Sequence, residues 1–180
     1  QGTQIFLKLM PNVFLPHPDS LLLANSIKIK EGEDVCDLGL GSGILAITAA
    51  KLGASRVYGI DTNKNAVKNS LENARLNKID KKCFFFYGRW FEPFANKKLD
   101  VIITNPPQIP GKSKSEKSYF REATEAGADG TEPTIFILNK AKKRLNKDGR
   151  LYLVIKEWMD YKKVISEMEK IYRCRMIAET

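Results

Sequence analysis

A glycine-rich turn between a short apolar run and a helical segment constrains the fold of this chain more than any other feature. The apolar run is 34–38, and Gly39, Gly41 and Gly43 follow it at alternate positions. Glycine permits positive φ and lets a ligand press against bare backbone, while a helix start offers unpaired N–H groups and the positive end of the helix dipole. The turn therefore predicts a ligand-binding strand-loop-helix unit.

The rest of the chain repeats this alternation of strand-sized apolar stretches with helix-length periodic segments. Such alternation is typical of βαβ units, so we predict a mostly parallel α/β sheet with helices on both faces. The predicted strands are 34–38, 56–60, 82–87, 100–104, 150–155 and 174–178, and the predicted helices are 44–52, 63–76, 132–146 and 160–172. The Pro-punctuated opening and the long stretch 108–131 are predicted to be irregular.

Asp61 ends the second predicted strand about twenty residues after the first glycine of the turn. In doubly wound nucleotide sites an acid at this place accepts hydrogen bonds from ribose hydroxyls. Two other interpretations remain: a tight structural turn followed by an ordinary strand-ending acid, and a dinucleotide site. The dinucleotide fingerprint is G-x-G-x-x-G, whereas the three glycines here alternate and Asp37 precedes the first of them by two positions.

The pattern of Asp37 and the alternating glycines resembles the first motif of S-adenosylmethionine-dependent methyltransferases of the Rossmann-like class. The resemblance implies that Asp37 and the backbone of Gly39, Gly41 and Gly43 hold the methionine end of S-adenosyl-L-methionine. It also implies that Asp61 holds the ribose of that cofactor.

A second motif, Asn105-Pro106-Pro107-Gln108, directly follows the fourth predicted strand, at the edge where open α/β sheets place their ligands. The prolines rigidify the turn and remove two N–H donors, which leaves carbonyls and the Asn105 side chain to face the site. An Asn105 oxygen and a Pro106 carbonyl that each take one N–H of a substrate amine would turn the nitrogen lone pair toward the methyl donor. The alternative is a plain proline-stiffened turn.

The second motif resembles the Asn-Pro-Pro-aromatic signature of methyltransferases that act on planar amide or amine nitrogens. Residues 14–20, 88–91 and 126–130, together with Phe120, are similar to segments of the HemK/PrmC family, which methylates glutamine in release factors. The resemblance implies a seven-stranded-type sheet, catalytic roles for Asn105, Pro106 and Pro107, and substrate contacts from Asn105, Gln108 and Phe120. One of the two aromatic residues after the third strand is expected to flank adenine, and Trp90 is taken as that residue; the alternative is that Trp90 and Phe91 are simple core residues.

The sequence departs from the family pattern at several places. Arg89 stands where the family has an Asp expected to accept a hydrogen bond from the adenine amine, and a guanidinium has no acceptor. Gln108 replaces the aromatic residue that stacks on the target base in base-modifying relatives. This weakens the case for a base as the methyl acceptor unless Tyr119 or Phe120 supplies the ring. The helical domain that bacterial release-factor enzymes carry ahead of the catalytic domain is expected to be missing. The predicted strands number six, so either the chain is incomplete or the last strand of the sheet is absent.

Composition limits the function classes further. A length of 180 residues fits one domain, in which 1–30 is expected to be an N-terminal extension packed on the methyltransferase domain 31–180. Three separated cysteines argue against a disulfide framework or a metal site. His17, the only histidine, is interpreted as a packing residue because nothing nearby forms a relay. No apolar segment approaches the roughly 18 residues of a membrane span, and the chain is expected to be cytoplasmic.

The excess of Lys and Arg over Asp and Glu, 30 against 21, gives a net charge of +9 and favours a partner that carries phosphates or carboxylates. Basic residues of the long loop lie beside the predicted acceptor site and are expected to steer such a partner: Lys112, Lys114, Lys117 and Arg121. The basic segment 140–147 is more typical of a solvated helix face, with contact to RNA or the ribosome as the alternative.

These features predict an enzyme, an S-adenosylmethionine-dependent N-methyltransferase. A glutamine side chain of a release-factor-like protein is the first predicted acceptor, and a base amine of rRNA or tRNA is the second. A hypothesis of another class is a non-catalytic protein that keeps the fold as a binding module, supported by Arg89 and Gln108.

Overall fold

The computed structural model of the protein describes residues 4–94, 97–111 and 118–179, with the side chains of 118–120 outside that description. The strands are β1 (Asp34–Leu38), β2 (Arg56–Asp61), β3 (Cys83–Tyr87), β4 (Leu99–Thr104) and β5 (Leu145–Leu153). The helices are α1 (Pro18–Ser26), α2 (Ile44–Lys51), α3 (Lys64–Leu76), α4 (Ser118–Thr124), α5 (Glu132–Arg144) and α6 (Tyr161–Ile171).

The five described strands form one parallel sheet in the order β3-β2-β1-β4-β5. Successive side chains of a strand point to opposite faces, so alternate residues of the central strands enter different cores. Val35 packs in the core shared with α1, α2 and α3, whereas Cys36 packs in the core shared with α5. The predicted α/β fold with helices on both faces is therefore confirmed.

The predicted sixth strand at 174–178 is wrong, because residues 173–179 have no regular structure. A strand forms only by pairing with another strand, and the residue that leads into this segment packs against a helix instead. The Tyr172 hydroxyl donates to the Leu138 carbonyl of α5 at 2.7 Å. The apolar residues that suggested a strand are exposed, and Met176 has 76% of its surface in solvent.

Three further boundaries differ from the prediction. The opening of the chain is not wholly irregular, since Pro18 begins α1 and Asp19 lies in its first turn, a usual place for proline and for an acid. The long stretch 108–131 contains α4. Strand β5 begins at Leu145 instead of residue 150, with a register irregularity against β4 that absorbs the extra residues.

The extended segment 6–10 lies along α3 and is held by a ladder of three asparagine side chains. Residues four apart on a helix are about 6 Å apart along its axis, and alternate residues of an extended chain are about 6.6–6.8 Å apart, so the two repeats match. The ladder bonds are Phe6 N to Asn77 Oδ1, Asn77 Nδ2 to Phe6 O, Lys8 N to Asn73 Oδ1, Asn73 Nδ2 to Lys8 O, and Met10 N to Asn69 Oδ1. The N-terminal segment thus packs on the sheet domain, while the boundary at residue 30 stays a prediction.

Candidate active site

The strand order reverses between β1 and β4, and this switch point is where open α/β sheets bind ligands. Leu38 and Thr104 are register partners at the carboxyl ends of these strands, and the Thr104 hydroxyl donates to the Leu38 carbonyl at 2.9 Å. Gly39 and Asn105 are the next residues along each strand. The structure therefore brings the two sequence motifs side by side at the carboxyl edge of the sheet, flanking the switch point where such sheets have their ligand crevice.

The glycine loop, residues 39–43, has the backbone that the sequence predicted. Gly39 has a φ of +89°, and no atom lies within 4 Å of the place where a Cβ would stand, so its face is open. Gly43 has a φ of +84°, and a Cβ there would lie 2.8 Å from the Ser70 hydroxyl of α3. Gly39 thus leaves backbone accessible to a ligand, while Gly43 allows α2 and α3 to approach closely.

Side chains of α3 bind the outer carbonyls of the glycine loop. Asn73 Nδ2 donates to the Ser42 carbonyl at 3.0 Å, and the Ser70 hydroxyl donates to the Gly41 carbonyl at 3.3 Å. Because Asn73 also binds the backbone of Lys8, the N-terminal segment and the glycine loop share one buried amide. The carbonyls of the glycine loop are therefore held by α3, through Asn73 and Ser70.

Asp37 lies on β1 with a side chain that is fully buried. Its Oδ2 accepts from the Ala46 N–H of α2 at 3.1 Å, whereas Oδ1 has no hydrogen-bond partner among the described residues. Burial raises the pKa of Asp37 well above its usual value, and the charge of Asp61 raises it further. An unpaired buried oxygen is unfavourable by about 1–3 kcal/mol, so a cationic or N–H group that reached Oδ1 would relieve that penalty.

Asp61 is the last residue of β2, and its two carboxylate oxygens bind the backbone of the glycine loop and of the turn before α3. Oδ2 accepts from the Gly41 N–H at 2.9 Å, and Oδ1 accepts from the Asn63 N–H at 2.8 Å. Burial raises the pKa of Asp61, although these backbone hydrogen bonds oppose the shift. Each carboxylate oxygen has a further lone pair, so the group can still accept from ligand hydroxyls.

Asn105 is half-buried at the end of β4, and its side chain has a defined orientation. Its Nδ2 donates to the Ser20 hydroxyl of α1 at 3.1 Å. The opposite end of the amide, Oδ1, is an acceptor and is not used in that bond. The side chain thus has an oxygen available for an N–H donor, and the catalytic roles of Asn105, Pro106 and Pro107 stay predictions.

Gln108 does not project into the crevice; its side chain is only 4% exposed. Its Nε2 donates to the carbonyls of Pro106 and Val154 at 3.2 and 3.1 Å, and its Oε1 accepts from the Lys156 N–H at 2.9 Å. Gln108 therefore ties the proline turn to the end of β5. Its substrate-binding role stays a prediction.

The residues after β3 divide between core and surface. Phe91 is buried in the core beneath α5, whereas Trp90 is half-buried and its ring lies 5.4 Å from that of Phe136 on α5. Of the two aromatic residues, Trp90 is thus the one accessible to a ligand, and its adenine contact stays a prediction. Arg89 is exposed, with its guanidinium 6.0 Å from the centre of the Trp90 ring.

Other predicted residues lie outside the crevice or outside the description. Lys112, Lys114 and Lys117, and the side chains of Tyr119 and Phe120, are outside the described residues. The interpretation of His17 as a packing residue is wrong: it is exposed just before α1, and its Nδ1 lies 2.7 Å from Asp19 Oδ2 in the first turn of that helix.

Sequence reasoning missed the residues that support Asn105 from outside its motif. Ser20 stands in a segment that the sequence singled out, but nothing in the pattern shows that it meets Asn105 85 positions later. Lys156, beyond β5, forms an ion pair with Asp19, and a lone lysine after a strand carries no signal in the sequence. Burial lowers the pKa of Lys156.

Among the described residues, no helix has the length and apolar character needed to cross a bilayer.

Comparisons with known proteins place the chain beside several methyltransferases. Residues 17–106 match the family described as ribosomal protein L11 methyltransferase (PrmA). The chain is 35% identical to a protein of Methanocaldococcus jannaschii named "Putative protein N5-glutamine methyltransferase", over 93% of this chain and 84% of that protein. It is 32% identical to the release factor glutamine methyltransferase of Coxiella burnetii, over 82% of this chain and 56% of that protein. The chain thus spans little more than half the length of the second relative.

Solved structures share the fold. The crystal structure of ribosomal protein L11 methylase from Lactobacillus delbrueckii subsp. bulgaricus aligns with a TM-score of 0.61 at 23% identity, over 84% of this chain and 65% of that chain. The T. thermophilus 16S rRNA N2 G1207 methyltransferase, in complex with AdoMet and guanosine, aligns with a TM-score of 0.63 at 23% identity, over 87% and 38% of the two chains.

Proposed function

Since this chain belongs to the family of methyltransferases that includes PrmA and the protein N5-glutamine methyltransferases, we propose that it methylates the side-chain amide nitrogen of a protein glutamine. The similarity to the two glutamine methyltransferases confirms the resemblance to the HemK/PrmC family. The observation that carries the proposal is the orientation of Asn105: its Nδ2 is held by Ser20 and its Oδ1 is left as an acceptor, opposite the glycine loop.

The residues around the glycine loop fit S-adenosyl-L-methionine as the methyl donor. The unpaired buried Oδ1 of Asp37 suits the amino group of the methionine moiety, and the open face of Gly39 leaves room for close contact with backbone. Asp61 can hold the ribose hydroxyls, and Trp90 can flank adenine. When bound, the cofactor supplies an electrophilic methyl group on a sulfonium sulfur.

The acceptor side of the crevice selects a nitrogen that carries two N–H groups. The Asn105 Oδ1 and the Pro106 carbonyl are hydrogen-bond acceptors, and Gln108 uses one lone pair of that carbonyl and leaves the other. Both bonds strengthen as positive charge develops on the nitrogen during transfer, so they favour the transition state over the ground state. Placement of reactants in this way can supply about 7–11 kcal/mol of barrier reduction.

Asp37 makes cofactor binding dependent on pH. The pKa of Asp37 is higher in the folded state than in the unfolded state, where it is about 3.9. The free energy of unfolding therefore falls as the pH rises from about 3.9 through the folded pKa, because the unfolded chain ionises more readily. The ammonium group of bound S-adenosylmethionine would favour ionised Asp37 and would offset this fall in the free energy of unfolding. The gain in Tm on adding S-adenosylmethionine is therefore expected to grow as the pH rises above about 3.9, the unfolded pKa of the carboxyl.

Thermal unfolding with and without cofactor measures this gain, and Asp37→Asn is the control because it cannot ionise. The variant is expected to bind more weakly and to show a gain that is flat with pH. An equal pH slope in wild type and Asp37→Asn would assign the effect to another group, with Asp61 the first candidate, since burial raises its pKa as well.

We propose a release factor as the protein substrate and the cytoplasm as the place of reaction, on the similarity to the Coxiella burnetii enzyme. The second candidate is an RNA base amine, favoured by the net charge of +9. Incubation with cofactor labelled in the methyl group, a cell extract and a purified release factor should place label in protein and in N-methylglutamine after hydrolysis.

Salt titration of substrate binding separates the two candidates. Contact with several phosphates gives a steep loss of affinity with salt, by about 0.7–0.9 in log-log slope for each phosphate, whereas a protein loop gives a shallow one. Label in RNA together with a slope steeper than about −3 would overturn the glutamine proposal. No binding heat at millimolar S-adenosylmethionine would support the non-catalytic alternative.

A further inference from the structure

The hydroxyl of Ser20 contacts the side chain that the proposed function places against the substrate. Ser20 is in the first turn of α1, and Asn105 directly follows β4, so the contact joins the N-terminal helix to the acceptor side of the crevice. Asn105 Nδ2 donates to Ser20 Oγ at 3.1 Å.

The orientation of this amide decides whether Asn105 can serve the reaction. The two ends of a carboxamide have nearly the same shape, but one is an acceptor and the other carries two donors. An acceptor nitrogen with its own N–H groups needs the oxygen end. If the amide were rotated by 180°, donors would face donors, and the substrate nitrogen would lose the bond that orients it.

A set of contacts fixes α1 against the proline turn, so the Ser20 hydroxyl has a defined position. Asp19 pairs with the Lys156 ammonium and with His17 Nδ1. The Lys156 N–H in turn donates to Gln108 Oε1, and Gln108 Nε2 donates to the Pro106 carbonyl. The contacts therefore close a ring that runs from Asn105 through α1 and the end of β5 back to Pro106.

We propose that Ser20 is a positioning residue that holds the Asn105 side chain in place beside the substrate nitrogen, with the Nδ2 end of the amide on the Ser20 hydroxyl. This inference rests on the proposed function. Ser20 acts through Asn105, and the Asp19–Lys156 ion pair maintains the position from which it acts.

The test compares Ser20→Ala with Ser20→Thr in the methyl-transfer assay on a purified release factor. Loss of the hydrogen bond that holds the Asn105 side chain in place is expected to lower kcat roughly fivefold to tenfold in Ser20→Ala. KM for the release factor and Kd for S-adenosylmethionine should stay within about twofold. Ser20→Thr keeps the hydroxyl and should restore kcat, a rescue that general loss of packing would not give.

Ser26→Ala is the matched control, because Ser26 lies in the same helix and its hydroxyl donates to the Leu22 carbonyl at 2.7 Å. It should leave kcat unchanged, and the Tm of each variant shows whether the fold is retained. Wild-type kcat in folded Ser20→Ala, or a raised Kd for the cofactor with unchanged kcat, would overturn the inference alone. A wild-type protein that labels no glutamine would overturn the proposed function and the role of Ser20 with it.

Discussion

Replacement of Asn105 by alanine is expected to abolish methyl transfer while the affinity for S-adenosylmethionine stays within about twofold of wild type. The side chain lies at the end of β4, and its amide contacts Ser20, not the glycine loop. Removal of one preorganised group that stabilises transition-state charge typically lowers kcat by about 10²–10³-fold. Single-turnover transfer to a purified release factor, with calorimetry for the cofactor, measures both quantities.

Asn139→Ala is a suitable control, because Asn139 is exposed on α5 and its Nδ2 donates to the Ile135 carbonyl one turn earlier. It should leave kcat and cofactor affinity unchanged. A large loss of cofactor affinity in Asn105→Ala, with Tm retained, would mean that the cofactor and acceptor sides of the crevice have been exchanged in our assignment.

The parallel sheet could be predicted because its central strands β1 and β4 are buried on both faces and are rich in apolar residues. The segment 174–178 misled the same reasoning, since alternation of apolar residues does not show whether a neighbouring strand is available. Helix α1 was missed because the prolines in this part of the chain suggested irregular structure, although Pro18 occupies the first helical turn, where proline is favoured.

The position of the site could be predicted because parallel strands bring their carboxyl ends to one edge of the sheet, independently of how the side chains pack. That rule places Gly39, Asp61 and Asn105 together from their order in the chain alone. It does not show which way Gln108 turns, since burial of that side chain depends on carbonyls of Pro106 and Val154 that only the fold brings near. The role of Ser20 could not be predicted either, because only the fold brings it into contact with Asn105.

Replacement of Asp61 by alanine is expected to have the opposite effect to that of Asn105→Ala. Kd for S-adenosylmethionine should rise by about a hundredfold, while kcat at saturating cofactor stays within a few-fold of wild type. Two contributions act together: the Gly41 and Asn63 N–H groups lose their acceptor, and the ribose hydroxyls lose theirs. A hundredfold change corresponds to about 2.8 kcal/mol, within the range of two or three charge-assisted hydrogen bonds.

Asp61→Asn separates these contributions, because an amide keeps one oxygen acceptor and loses the other. If support of the glycine loop dominates, the amide oxygen can replace the carboxylate at Gly41, and the loss of affinity should be about tenfold instead of a hundredfold. If ribose binding dominates, both variants should bind equally poorly. Asp80→Ala, a change at an exposed acid before β3, controls for the loss of one negative charge in this basic protein. Unchanged cofactor affinity in Asp61→Ala, with transfer lost, would contradict the assignment of Asp61 to the cofactor.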